Sequence, residues 1–209
     1  MEDGGKAKLY TRGDGIIGKD ISHLIPFLRL PDPSVHTDYV IRGEFLISKD
    51  NFAAHFKSKK NARNAVAGLM NTLVGGDEHQ WVDFVGYEIM KPEMVPGDQL
   101  KTLKDVIGMD TVRFEVVDNL SNEMLSEKLM DWRSGYKYEI DGIIVAHNKI
   151  YRARSEKNPE HAFAFKMVLS DQVAEAKVVR VEWNPSKDGY LKPRGEIEPI
   201  ELGGVTITY

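Results

Sequence analysis

The stretch Tyr138-Glu139-Ile140-Asp141-Gly142-Ile143-Ile144-Val145 sets two acids and a glycine among β-favouring apolar residues. Alternation over Tyr138, Ile140, Ile143 and Val145 predicts a strand with its acids at the mouth. The plainer reading is a strand that turns at Asp141-Gly142. A second apolar run, residues 162–169, carries one cation, Lys166. That lysine is either an outward, solvated residue or a deliberately placed charge. Neither signal decides its own meaning, so the rest of the chain has to.

With 209 residues, the chain can build one sizeable core and part of a second domain. The absence of cysteine excludes disulfides, thiolate zinc sites and cysteine catalysis. Its six histidines are dispersed without metal-ligand spacing. No 18-residue apolar run marks a membrane span, and the first residues carry no signal-peptide core. A net charge of −4 still allows a local basic patch to meet nucleic acid phosphates.

In chain order, residues 6–11 read as a short strand, and 11–20 as a glycine-rich loop without the Gly-Lys-Ser/Thr end of a P-loop. Asp20 or Ser22 would cap a short helix that Pro26 stops. Residues 39–48 alternate as a strand, on which Glu44 is either a ribose or metal ligand or half of a solvated edge pair. Asp50 would cap the next helix. Lys57, Lys59 and Lys60 at its end are a solvated face or a DNA backbone contact. Residues 61–68 read as a loop entering a helix that runs to Leu73. Arg63 sits at the end of that helix where cations are disfavoured, which suggests a grip on phosphate against the alternative of a plain surface arginine.

A turn over 74–79 precedes a strand over 81–90, whose Tyr87 would stack on a base or pack in the core. Further helices are expected over 98–107 and 119–132, with a strand over 113–117 between them. The second helix has Ser121 as cap and Leu125, Leu129 and Trp132 as its buried stripe. Residues 147–159 read as an exposed polar loop. Beyond residue 170, short strands with glycine and proline turns suggest the opening of a small barrel, too short to close alone.

These residues resemble a known family. Thr11-Arg12-Gly13-Asp14-Gly15 with Gly18, Val40-Ile41-Arg42-Gly43-Glu44, Asn61-Ala62-Arg63-Asn64 through Gly68, Tyr138 through Gly142, Ala164-Phe165-Lys166, and Leu191-Lys192-Pro193 with Glu198-Pro199 and Leu202-Gly203-Gly204 stand in the order found in NAD-dependent DNA ligases. The resemblance covers nearly the whole chain. It implies an α+β fold: a nucleotidyltransferase (ATP-grasp-like ligase) domain of antiparallel sheets and helices over 1–169, then an incomplete OB-type β-barrel over 170–209.

The resemblance also implies roles. Arg63, Arg133, Asp141 and Lys166 would act in catalysis, with Arg133, eight residues before Asp141, contacting phosphate. Glu44, Tyr87, Glu139 and Lys166 would bind the nucleotide, and Glu44 and Asp141 would hold Mg2+. Arg12, Lys57, Lys59, Lys60 and Arg63 would meet DNA. The reaction would be the sealing of nicks in duplex DNA through enzyme-adenylate and DNA-adenylate intermediates, with NAD as AMP donor and a cytoplasmic setting, bacterial or that of a virus host.

The sequence departs from the family in two places. It holds no Lys-x-Asp-Gly, the nucleophile motif that stands upstream of the Arg-Gly-Asp-Gly loop, and Ala146 stands where the family has a lysine four residues after the central glycine. The chain is therefore expected not to self-adenylylate alone, and to be either one subunit, completed by a complementary ligase polypeptide carrying that motif, or a fragment of a ligase. The alternative is a non-catalytic ligase-like protein that binds DNA or nucleotide.

Overall fold

The computed structural model describes residues 7–32, 39–151, 159–167, 173–202 and 205–209. Lys6, the basic residues Arg152, Arg154 and Lys157 of the expected loop, and Gly203-Gly204 lie outside the described residues. The chain divides into two compact units, Met1–Lys166 and Met167–Tyr209.

The first unit is built on an antiparallel ribbon, β1 (Val40–Leu46) with β2 (Asp83–Lys91). Its strands form where apolar and polar residues alternate, so Ile41 and Phe45 turn inward while Arg42 and Glu44 turn out. The register slips after Arg42, which faces Glu88, because Gly43 faces Gly86 and Tyr87 is left without a partner. Such a bulge re-aims the extra side chain, and Tyr87 is exposed.

Helix α1 (Lys49–His55) is capped by Ser48, whose hydroxyl accepts the Asn51 amide at 3.2 Å. Asp50, the expected cap, lies in the first turn instead. Ser48 has the extended backbone that a cap requires, and an acid one step into the helix still favours the positive end of its dipole. Helix α2 (Ala62–Met70) begins earlier than expected, because the Asn61 side chain accepts the Asn64 amide at 2.8 Å. It also stops short of Leu73. His79 and Thr72 bond the carbonyl of Leu69 and close the helix there. Its buried face (Ala65, Leu69, Met70) joins Ile21, Leu24, Ile47, Phe56 and Val82 in one core.

Trp81, expected in a strand, instead ends a 3-10 helix (Asp77–Trp81) and stacks on His55 at 4.0 Å. Asp20 bonds the Ser22 amide at the start of a 3-10 helix over Ser22–Phe27, and Pro26 lies inside that helix rather than ending it. Residues 7–11 form no strand beyond a single Tyr10–Asp20 bridge.

Helix α3 (Pro96–Lys101) opens with proline at its first position and runs on as a π turn over Thr102–Val106. It buries Leu103 and Ile107 against Ile89 of β2, which makes a second core cluster. The strand expected over 113–117 does not form. Only Thr111 bridges to Gly86, and Val116 and Val117 are exposed with no ladder to join. Helix α4 (Asn122–Gly135) is capped by Ser121 and buries Leu125 and Leu129. Trp132 is only partly covered, with the Arg113 guanidinium 5.6 Å above its ring. After α4, a short ribbon pairs β3 (Ile143–Ala146) with β4 (Ala162–Phe165).

The second unit holds two separate antiparallel pairs, β5 (Val178–Pro185) with β6 (Leu191–Ile197) and β7 (Ile200–Leu202) with β8 (Val205–Ile207). Among the described residues these sheets stay small and unclosed, so the OB-type reading goes no further than two ribbons. Among the described residues, no helix is long and apolar enough to cross a membrane.

Candidate active site

Residues 138–142 are not the strand that alternation predicts. The chain bends at Lys137 and Tyr138, runs straight through Asp141 and Gly142, and enters β3 at Ile143. Tyr138 is buried, and its hydroxyl donates to Asp83 at 2.7 Å, which pins the start of this segment to β2. The expected turn at Asp141-Gly142 is absent. Glycine is required there for room: a Cβ on Gly142 would stand 2.6 Å from the carbonyl oxygen of Phe165. That close approach brings the two strand mouths together, and Lys166 Nζ meets Asp141 Oδ2 at 2.9 Å.

The Lys166 hydrogen bond is the main cause holding the Asp141 carboxyl below its ordinary range, opposed by partial burial and assisted by the charges of Lys166 and Arg63. Arg63, in the first turn of α2, is exposed, and its charge is the weakest of these influences on Asp141. Arg133, in the last turn of α4, bonds main chain: Nε donates to the carbonyl of Ile140 at 3.1 Å and Nη2 to that of Asp141 at 3.2 Å. Its Nη1 is buried without a hydrogen-bond partner, a donor that an anionic oxygen would satisfy. Glu139, beside Asp141, is exposed.

A second group forms on the outer face of the β1–β2 ribbon. The Tyr87 phenol is pushed up chiefly by burial, with the charges of Glu88 and Glu44 adding and those of Arg42 and Arg12 opposing. Arg42 pairs with Glu88 at 2.7 Å, while Glu44 projects from the same strand two residues on. Arg12 comes from a closed loop: Asp14 Oδ1 accepts the amides of Ile16 and Ile17, and Gly13 takes φ +57°, a conformation that favours glycine. Lys57, Lys59 and Lys60 lie exposed beyond the end of α1, and Arg63 follows at the start of α2. Ala146 ends β3 opposite Ala162.

Among the described residues, no group of three His, Asp or Glu side chains converges to cage a metal. Glu44 and Asp141 are single exposed carboxylates. Such a donor set fits Mg2+, which keeps its waters and leans on substrate phosphates. A hollow of about 470 Å³ lies elsewhere, between Arg29, Asp83, Phe84, Met109, Asp110 and Lys137. Neither Asp141 nor Lys166 lines it, and Lys137 there is paired with Asp110 at 2.8 Å.

The sequence profile of the NAD-dependent DNA ligase adenylation domain matches residues 1–169. The chain belongs to that family. It is 37% identical over 210 residues to a DNA ligase of Acanthamoeba polyphaga mimivirus, covering 98% of this chain and 32% of that protein. It is 30% identical over 225 residues to a DNA ligase of Clostridium tetani (strain Massachusetts / E88), covering 99% of this chain and 33% of that protein. The chain thus spans about a third of the length of these relatives.

One contact near this cluster escapes a reading of motifs. Lys49, the first residue of α1, donates from Nζ to the carbonyl of Arg133 at 3.0 Å, and its amide donates to the carbonyl of Lys137 at 2.9 Å. A signal for it exists in the sequence. A lysine at the first position of a helix opposes the helix dipole, so some contact outside that helix is expected to hold it.

Proposed function

We propose that this chain is the adenylation-domain part of a DNA ligase that seals nicks in duplex DNA, with NAD as AMP donor. The observation that carries the reading is the Asp141–Lys166 pair at the central Asp-Gly motif of a chain in this family. Arg63, Lys166 and the free donor of Arg133 supply cations for the non-bridging oxygens of a transferring phosphate, where positioned charge lowers the barrier most. Glu44 and Tyr87 bind the nucleoside, and Glu139 stands beside it. Asp141 and Glu44 hold Mg2+, which supplies charge neutralisation on phosphate. Arg12, Lys57, Lys59, Lys60 and Arg63 contact the DNA backbone, a mode that tightens binding without reading sequence.

The attacking amine comes from a Lys-x-Asp-Gly segment, which these 209 residues do not contain. In the test that follows, a separate companion polypeptide supplies that segment. Without that segment, the chain is not self-adenylylated. The purified chain is incubated with Mg2+ and either NAD or ATP, alone and with a polypeptide supplying the segment, and AMP adducts are read by intact mass. The expected result is an adduct on the companion, with NAD only. An adduct on this chain by itself overturns the assignment of the nucleophile.

A second reading has one observation in its favour. Ala146 faces Ala162 across the β3–β4 ladder and brings no charge to the position where the family has lysine. A non-catalytic ligase-like protein would bind nicked DNA and give no adduct in any mixture, even after Ala146→Lys.

A further inference from the structure

Lys49 belongs to none of the roles above, and its contacts are misplaced for its own helix. Cations are disfavoured at a helix N-terminus, and α1 is already served there by the Ser48 cap and by Asp50. The ammonium reaches instead to the carbonyl of Arg133 at 3.0 Å. Arg133 lies in the last turn of α4, where carbonyls have no partner within the helix and a cation is favoured. The main chain repeats the link, because the Lys49 amide bonds the carbonyl of Lys137 two residues past the end of α4. The side chain of the same Arg133 then grips the carbonyls of Ile140 and Asp141. A continuous path therefore runs from the start of α1, through the end of α4, to the backbone that carries the Asp141 carboxylate to Lys166.

We propose that Lys49 is a positioning residue of the nick-sealing site: it fixes the end of α4 so that Arg133 holds the Ile140-Asp141 backbone and sets Asp141 against Lys166. Arg133 has two tasks in this arrangement. Two of its nitrogens fix the main chain, and only Nη1 is left to meet a substrate oxygen. Besides this grip, the segment is held by the Tyr138–Asp83 bond at its start and by the fit of Gly142 against Phe165 at its end. The β3–β4 ribbon is four residues long on each side and has exposed residues on both strands. The Asp141–Lys166 pair is itself mostly exposed, and pairs of that kind contribute little rigidity.

The inference rests on the nick-sealing reading, but its main test needs no catalysis. Lys49→Met and Lys49→Arg are made in the full chain, and backbone hydrogen exchange is followed by NMR together with the unfolding midpoint. For Lys49→Met, exchange of the ladder amides in β3 (Ile143–Ala146), which follow the gripped segment directly, is expected to rise about tenfold. The amides of α4 from Leu125 to Leu129 and the β1–β2 ribbon should keep their wild-type rates, and the midpoint should hardly move. Lys49→Arg should restore slow exchange, because a guanidinium can also reach the Arg133 carbonyl.

Unchanged exchange of the β3 ladder amides in Lys49→Met overturns the proposal. So does a uniform rise through α1, α4 and the core, which marks an ordinary structural contact. In the complemented protein, sealing of a pre-adenylylated nick should slow several-fold in Lys49→Met with the half-saturating DNA concentration unchanged, and Lys49→Arg should recover it. Weakened DNA binding with an unchanged maximal rate overturns positioning in favour of a phosphate contact. If even the wild-type mixture fails to seal, the functional reading falls, and the exchange data alone decide the role of Lys49.

Discussion

The two ribbons of the first unit present acids toward chemistry, and they are held by different forces. In the β1–β2 ribbon, Val85 and Ile89 are buried, α2 and α3 cover the inner side, and Glu44 and Tyr87 stand on a face that the core has already fixed. The β3–β4 ribbon has no residue fully buried in its four-residue strands. Its mouth is set by the fit of Gly142 against Phe165, the Lys166–Asp141 pair and the two carbonyl bonds of Arg133. Apolar burial places one group of side chains, and directional polar contacts place the other. The polar arrangement can be released locally without unfolding the domain.

If the contrast is right, substitutions should separate the ribbons by size of effect. Ile89→Ala removes a core side chain that is 1% exposed, and should cost about 2–5 kcal/mol in urea unfolding followed by circular dichroism. Ile144→Ala, at a position 72% exposed, should stay within about 0.5 kcal/mol, and a comparable loss at both sites would erase the distinction. Gly142→Ala falls between them. Its Cβ would press on the Phe165 carbonyl at 2.6 Å, so the strand mouths must part at an overpacking cost of about 1–3 kcal/mol. Nick sealing in the complemented protein should fall far more than stability does. A Gly142→Ala chain that seals normally would show that the close approach does not matter to the site.

The sequence was read well where burial decides the structure. The strands expected over 39–48 and 81–90 are found as Val40–Leu46 and Asp83–Lys91, because an alternating pattern with a core beneath it leaves one register open. The same pattern held over Ile143–Val145, which lie in β3, and misled over 138–142. Tyr138 is buried by a hydroxyl bond to Asp83 and not by a ladder, so its place in the alternation did not mean strand. Residues 113–117 alternate too, yet no neighbouring edge receives them. Arg63 and Lys49 both stand in the first turn of their helices, against the dipole, a position that the sequence pattern can flag before the structure is known. The carbonyl grip of Arg133 could not be read in advance, because it depends on how α4 ends relative to β3 and leaves no trace in residue spacing.

The smallest effect expected is the stability contributed by the Asp141–Lys166 pair. The folded carboxyl is held below its ordinary value, chiefly by the Lys166 hydrogen bond, so the unfolded chain takes up the proton first as pH falls. The contribution is therefore complete above the unfolded carboxylate pKa of about 3.9 and is lost as pH drops through the lower folded value. Asp141 and Lys166 are 76% and 62% exposed, and solvent screens them, which limits the contribution to under about 1 kcal/mol. Asp141→Asn should thus lower stability slightly at pH 7, and the gap to wild type should close toward pH 2 or in high salt. A gap that persists at low pH would mean that the side chain holds the mouth by shape rather than charge, and the contrast with the core-held ribbon would then weaken.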